Sequence, residues 1–229
     1  MQKRFSTCLI LSALSLLPVS AVIARERSFV QRIAIIDNSG VGYFRPEYLV
    51  ALQIQFDRDF TPAWRKTVHL YLLADTSTLA PEDFYLEIAA DERIAYSGWH
   101  SVDETGRPFA LVRAGYPGAS ELIGHELLEL AANPWLEDAA YFHWDVVQTD
   151  GSMFHSGFVF RREICDPVTG TAYQINGVTV PNFVYPSYFQ QMRGKAPFDK
   201  LGMITEPGGT LFGYNAERPG IVVLPWGNW

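Results

Sequence analysis

Ser120-Glu121-Leu122-Ile123-Gly124-His125-Glu126-Leu127-Leu128-Glu129-Leu130 is the stretch on which the reading of this chain turns. Ser120 stands where an N-cap is expected and Asn133-Pro134 stops the run, so the segment predicts a helix. Residues four apart on a helix project from one face, which sets His125 beside Glu129. A divalent metal needs ligands converging from a rigid frame, and such a pair supplies two of them. Glu126, one step round, is placed to hold a water and take its proton. This is the logic of H-E-x-x-H metallohydrolases, whose glutamate is the general base. Here a carboxylate replaces the second imidazole, and zinc accepts such oxygens at about 2.0–2.2 Å. The added negative charge makes a zinc-held water less acidic. The plainer reading is an amphipathic helix with Leu122, Ile123 and Leu130 in the core, solvated acids and a histidine without chemistry.

A closed site needs a third ligand from outside the helix. Glu163, in Arg161-Arg162-Glu163-Ile164-Cys165-Asp166-Pro167 after a predicted strand, offers a carboxylate at a turn and is the first choice. Asp166 is the alternative, although Asp before Pro is also a common turn cap. Gly124, just before the histidine, leaves room for another backbone to come close.

Working outward, residues 32–37 (R-I-A-I-I-D) read as a short buried strand stopped by Asn38-Ser39-Gly40. Pro46 opens a helical pattern in which Leu49, Leu52, Gln53 and Phe56 recur at helical spacing as far as Pro62. Further strands are expected at 67–74, 83–89, 94–99 and 109–113, the last two joined by Asp103-Glu104-Thr105-Gly106. Beyond the helix, 141–148 and 154–160 are strand-like. Asn176-Gly177 between Tyr173-Gln174-Ile175 and Val178-Thr179-Val180 is a tight-hairpin signal. The Gly- and Pro-rich extension 193–229 is expected to wrap the domain. This order of elements predicts an α+β domain, a small mixed sheet packed on the helix and a β-rich C-terminal part.

The stretch Gly124-His125-Glu126-Leu127-Leu128-Glu129-Leu130 with Asn133-Pro134 resembles the S-H-E-x-L-E-x-x-x-D-P segment of a family of mostly uncharacterised bacterial and phage proteins. Glu163-Ile164-Cys165-Asp166-Pro167 is similar to that family's E-V-C-D-P. The segments Tyr173 to Gly177 with Val178, and Asn182-Phe183-Val184-Tyr185-Pro186-Ser187-Tyr188-Phe189, are similar to its Y-x-I-x-G-V-x-V-S-D-F-V-x-P-x-F run. So are Gln55-Phe56-Asp57-Arg58-Asp59-Phe60-Thr61-Pro62-Ala63-Trp64 and Gly98-Trp99-His100. The likeness spans roughly residues 30–190. It implies a zincin-like metallopeptidase fold and supports that fold more than a reaction. The chain departs from the pattern at Asn133, where the family has Asp, and at Gly124, where it has Ser.

Other residues weigh less. His100 would sit by the strand that borders a zincin cleft, where it could orient substrate or stabilise an oxyanion. His143 and His155 are alternative ligands, and His69 reads as structural. Tyr185 and Tyr188 read as packing before oxyanion donors. Cys165 reads as a buried thiol, its acidic neighbours raising its pKa. Trp64, Trp99, Trp135 and Trp144 are scattered singly, which favours packing over a carbohydrate platform.

At the N-terminus, Lys3 and Arg4, an apolar run from Cys8 to Leu17 and small residues up to Ala24 have the three parts of a secretory signal peptide over residues 1–24. The run is about ten residues against the roughly 20 that cross a bilayer, so no stable membrane span is expected after cleavage. Residues 25–229 then suit a single zincin-like domain. The formal charge of −7 becomes more acidic still without Lys3 and Arg4, which excludes nucleic acid as the expected partner. Only Cys165 survives cleavage, so no internal disulfide is expected.

The sequence thus predicts an exported protein, periplasmic or extracellular, that hydrolyses a peptide or protein substrate. Zinc is held by His125, Glu129 and Glu163 (alternatively Asp166), with Glu126 as base and His100 assisting. The alternative is a non-catalytic exported protein that retains the fold and binds a partner or a structural metal.

Overall fold

A computed structural model describes residues 30–90, 97–147, 153–190, 197–204, 211–215 and 218–224. The expected signal peptide and part of the 94–99 strand lie outside these residues. Side chains of 141–158 and of 205–229 are likewise outside them.

The chain alternates strand and helix at first, then turns to hairpins. β1 (Val30–Asn38) leads into α1 (Pro46–Gln55). A π-helical turn (Phe56–Phe60) and α2 (Thr61–Trp64) prolong that helix until Arg65 adopts a left-handed φ of 56°. β2 (Thr67–Leu73), β3 (Phe84–Ala89), β4 (Gly98–Val102) and β5 (Pro108–Arg113) follow. Next come α3 (Ala119–Ala132), β6 (Ala139–Val147) and β7 (Met153–Arg161). β8 (Ala172–Ile175), β9 (Val178–Pro181), α4 (Pro186–Phe189), β10 (Leu211–Asn215) and β11 (Arg218–Leu224) complete the order.

The first five strands form one sheet in the order β2-β1-β3-β5-β4. β1, β2, β3 and β5 run parallel, and β4 closes the edge antiparallel to β5. Central β1 is buried on both faces from Ile33 to Ile36, as a parallel strand covered on each side must be. β3 and β5 alternate instead, sending Phe84, Leu86 and Ile88, and Ala110 and Val112, inward. Those side chains join Leu52, Phe56 and Phe60 of the first helix and Ile123, Leu127 and Leu130 of α3 in one core. The protein is therefore α+β, with a mostly parallel sheet and few helices.

The second sheet, β11-β10-β7-β6, is antiparallel throughout. Part of the extension expected only to wrap the domain thus supplies two strands. Their sequences explain it: Leu211-Phe212 and Ile221-Val222-Val223 are strong strand formers despite the surrounding Gly and Pro. In the β8–β9 hairpin, Asn176 and Gly177 take φ of 52° and 79°, the two positive angles of a type I′ turn.

α3 departs from expectation at its start. Gly118, at a left-handed φ of 78°, occupies the N-cap position, and Ser120 lies inside the first turn. The Ser120 hydroxyl donates instead to the Thr179 carbonyl at 2.7 Å, tying the helix to β9. At the other end Asn133 ends the helix as expected, accepting from the Asp138 amide and donating to its carbonyl. A carboxylate cannot do both, so the amide at this position has a job of its own. Lys66 reaches across from before β2 and donates to the Ala131 and Ala132 carbonyls, a cation on the negative end of the helix dipole.

Candidate metal centre

α3 is fixed on three sides. A Cβ at Gly124 would meet Pro181 Cδ at 2.7 Å and Leu52 Cδ2 at 2.8 Å. The close neighbours at Gly124 are thus side chains of β9 and α1, rather than the backbone expected. β4 lies along the same helix: a Cβ at Gly98 would come within 2.6 Å of Glu126 Oε1 and 2.8 Å of its Cγ. Two glycines therefore let α3 press against its neighbours on either side of the His125-Glu126 pair.

The helical spacing does what the sequence predicts. His125 Nε2 stands 3.3 Å from Glu129 Oε2 and 3.4 Å from Asp166 Oδ1. Glu129 is held from behind, its Oε1 accepting the Cys165 and Asp166 amides at 3.0 and 3.3 Å. The turn after β7 thus aims one carboxylate and presents another. Asp166 takes the place beside His125, while Glu163 faces inward with its Oε2 3.5 Å from His100 Nε2.

His100, on β4, reaches the cluster from the sheet. Its Nδ1 is 4.0 Å from Glu126 Oε2 and 3.9 Å from Glu129 Oε2. The ring is buried behind the carboxylates, whereas the His125 and Asp166 side chains keep 18% and 25% of their surface and form the open side. His143 and His155 fall on β6 and β7, within the stretch 141–158 whose side chains are not described. Tyr188 is buried in the core, and Cys165 is a buried free thiol.

Electrostatics set these groups apart from ordinary surface acids. Burial pushes Glu126 up to about 8 and Glu163 up to about 9, each beside further carboxylates. Burial also raises Asp166, as does Glu129. Glu129 would rise on burial too, but His125 and the Cys165 amide hold it below its ordinary value. Burial opposes charge on His125, yet Glu129 and Asp166 carry its pKa well above the usual range. His100 is lowered by burial against the pull of Glu129.

Three buried polar atoms of the cluster lack any hydrogen-bond partner: His100 Nε2, Glu126 Oε2 and Glu163 Oε2. Leaving such an atom unpaired costs about 1–3 kcal/mol. Two donor sets are compact enough for an ion: His125, Glu129 and Asp166, and His100, Glu126 and Glu129, the ligand atoms within each lying within 4.8 Å of one another. The outer set also has the right spacing. Bonds of about 2.0–2.1 Å at tetrahedral angles put ligand atoms roughly 3.3 Å apart, against the 3.3 and 3.4 Å found.

His100 and Gly98 had only faint signals in the sequence. A glycine within a strand marks a close approach, but nothing local says that Glu126 is what approaches. Comparison with protein families, curated proteins and solved structures finds no match to this chain.

Proposed function

We propose that this chain is an exported metal-dependent hydrolase, a peptidase whose zinc is held by His125, Glu129 and Asp166. The observation that carries the reading is the spacing of His125 Nε2 from the Glu129 and Asp166 oxygens, with the unpaired Oε2 of Glu126 on the next helix position. The fold supports the zincin-like part. The H-E-x-x-E helix packs under a mostly parallel sheet, and the antiparallel edge strand β4 runs beside it. No helix among the described residues is long and apolar enough to cross a membrane.

Zinc in that position supplies Lewis acidity to a water and to the scissile carbonyl. The chain's own groups do the rest. His125 and Asp166, half-buried, form the rim at which an extended peptide is received. Glu129 is held in place by two backbone amides. Glu126 takes the proton of the attacking water on Oε2 and hands it to the leaving amine. Its carboxyl, held near 8 by burial, is drawn down toward neutral pH by a neighbouring cation. Gly98 gives the edge strand the closeness that shields this carboxylate from bulk water.

A test is cleavage of a random peptide mixture read by mass spectrometry, with and without a zinc chelator, beside Glu126→Gln. The reading expects cleavage lost on chelation, restored by zinc, and at least 100-fold slower in a variant that still binds metal. A Glu126→Gln protein with full rate would end the mechanism. The burial of His100, Glu126 and Glu129 also suits a non-catalytic exported protein with a structural ion. Metal retention without cleavage of any peptide would favour that second reading.

A further inference from the structure

Glu129 belongs to both compact donor sets, and the inner one is not used by the hydrolytic reading. Internal pairing does not account for it. His100 is 8% exposed and Glu126 4% exposed, yet His100 Nε2 and Glu126 Oε2 are unpartnered, as is Glu163 Oε2 beside them. The two carboxylate oxygens cannot satisfy each other without a proton or a cation between them. Both nitrogens of His100 have a carboxylate oxygen within reach, Nδ1 at 3.9 and 4.0 Å and Nε2 at 3.5 Å. The neutral ring has one lone pair, and in the tautomer with its proton on Nε2, toward Glu163, the lone pair on Nδ1 faces Glu126 and Glu129.

We propose that the protein carries a second divalent-cation site at His100, Glu126 and Glu129, adjoining the zinc site, sharing Glu129 with it and regulating it. The proposal rests on the hydrolase reading of the outer set. The inner set has the same one imidazole and two carboxylates as the outer one but is wider, at 3.9–4.0 Å from Nδ1 against 3.3–3.4 Å. Carboxylate sets accept manganese, and the wider one suits the larger ion, whereas zinc outcompetes manganese for the first vacancy. Occupation of the inner site has a direct consequence. Glu126 is a ligand there and the proton acceptor in hydrolysis, so the first ion enables the reaction and the second withdraws its base.

The experiment loads the purified protein with one equivalent of zinc, dialyses it against increasing Mn2+, and counts both metals by elemental analysis. The expected result is one zinc and one manganese per chain at saturation. In His100→Ala and Glu126→Gln the zinc stays and manganese uptake weakens at least tenfold. A parent protein that keeps zinc and never exceeds one ion in total overturns the second site alone. This count needs no variant, so a misfolded variant leaves it decisive. Equal manganese uptake by parent and folded variants overturns it as well, by placing the manganese elsewhere. A parent that retains no zinc removes the hydrolase reading and the second site with it.

Discussion

Replacing Gly98 by alanine tests whether the edge strand is fitted to Glu126. The new Cβ would lie 2.6 Å from Oε1, 2.8 Å from Cγ and 3.0 Å from Cδ of that side chain. Carbon contacts are comfortable from about 3.5 Å, so β4 or Glu126 must give way by roughly 0.7 Å. Contact with Cγ matters most, because turning the carboxylate end does not relieve it. Glu126 is 4% exposed and has α3 behind it. Overpacking of this kind costs about 1–3 kcal/mol, which for a domain of this size lowers Tm by roughly 2–12 °C. A base displaced by most of an ångström loses about 10- to 100-fold in rate. The three atoms nearest the new methyl all belong to Glu126 rather than to His125, Glu129 or Asp166, so zinc affinity should change less than threefold. Thermal unfolding, peptide cleavage and zinc titration on Gly98→Ala read these three consequences separately. An alanine variant with parental Tm and parental rate would refute the claim that Gly98 seats Glu126.

The pH dependence of the metal-free protein has a definite sign. Glu126 and Glu163 titrate near 8 and 9 when folded and near their ordinary value of about 4.5 when unfolded. The folded state therefore holds protons that the unfolded chain has released, and stability falls as pH rises from about 4.5 to 9. Urea midpoints at pH 5 and 8 in chelator should show the drop and added zinc should flatten it; a flat chelated profile contradicts the burial argument. Gly124→Ala should destabilise by about 1–3 kcal/mol, because Pro181 and Leu52 already occupy the space of its Cβ. An unchanged urea midpoint would mean that the helix-to-hairpin contact is looser than described. Asp59 accepts from Arg58, Lys200 and Tyr173 with 1% of its side chain exposed. Asp59→Asn strands two cations and should cost about 2 kcal/mol, discounted because Arg58 is half exposed; a loss under 0.5 kcal/mol by urea unfolding would show that the pairing is ornamental.

What was legible in the sequence is what local rules govern. Alternation and β-branched runs marked the sheet strands, Pro46 opened α1, and Asn176-Gly177 set the hairpin. The four-residue spacing put His125 beside Glu129. Ser120 misled because its hydroxyl found a longer-range partner in Thr179, leaving Gly118 to open the helix. Where Glu163 and Asp166 come to lie was beyond local reasoning. The turn gives both amides at 165 and 166 to Glu129, and that rotation presents Asp166 to His125 while Glu163 meets His100. His100 itself depends on β4 being the edge strand beside α3, a fact of sheet order. Sheet order comes from long-range pairing and is not written in any one segment.

The central claim is that the outer donor set holds a metal. Elemental analysis of the purified protein, beside His125→Ala and Asp166→Asn, addresses it most directly. The account predicts close to one zinc per chain in the parent, lost in His125→Ala and reduced at least tenfold in affinity in Asp166→Asn. A folded parent that takes up no zinc when offered it, or variants that keep the parental content, would contradict it.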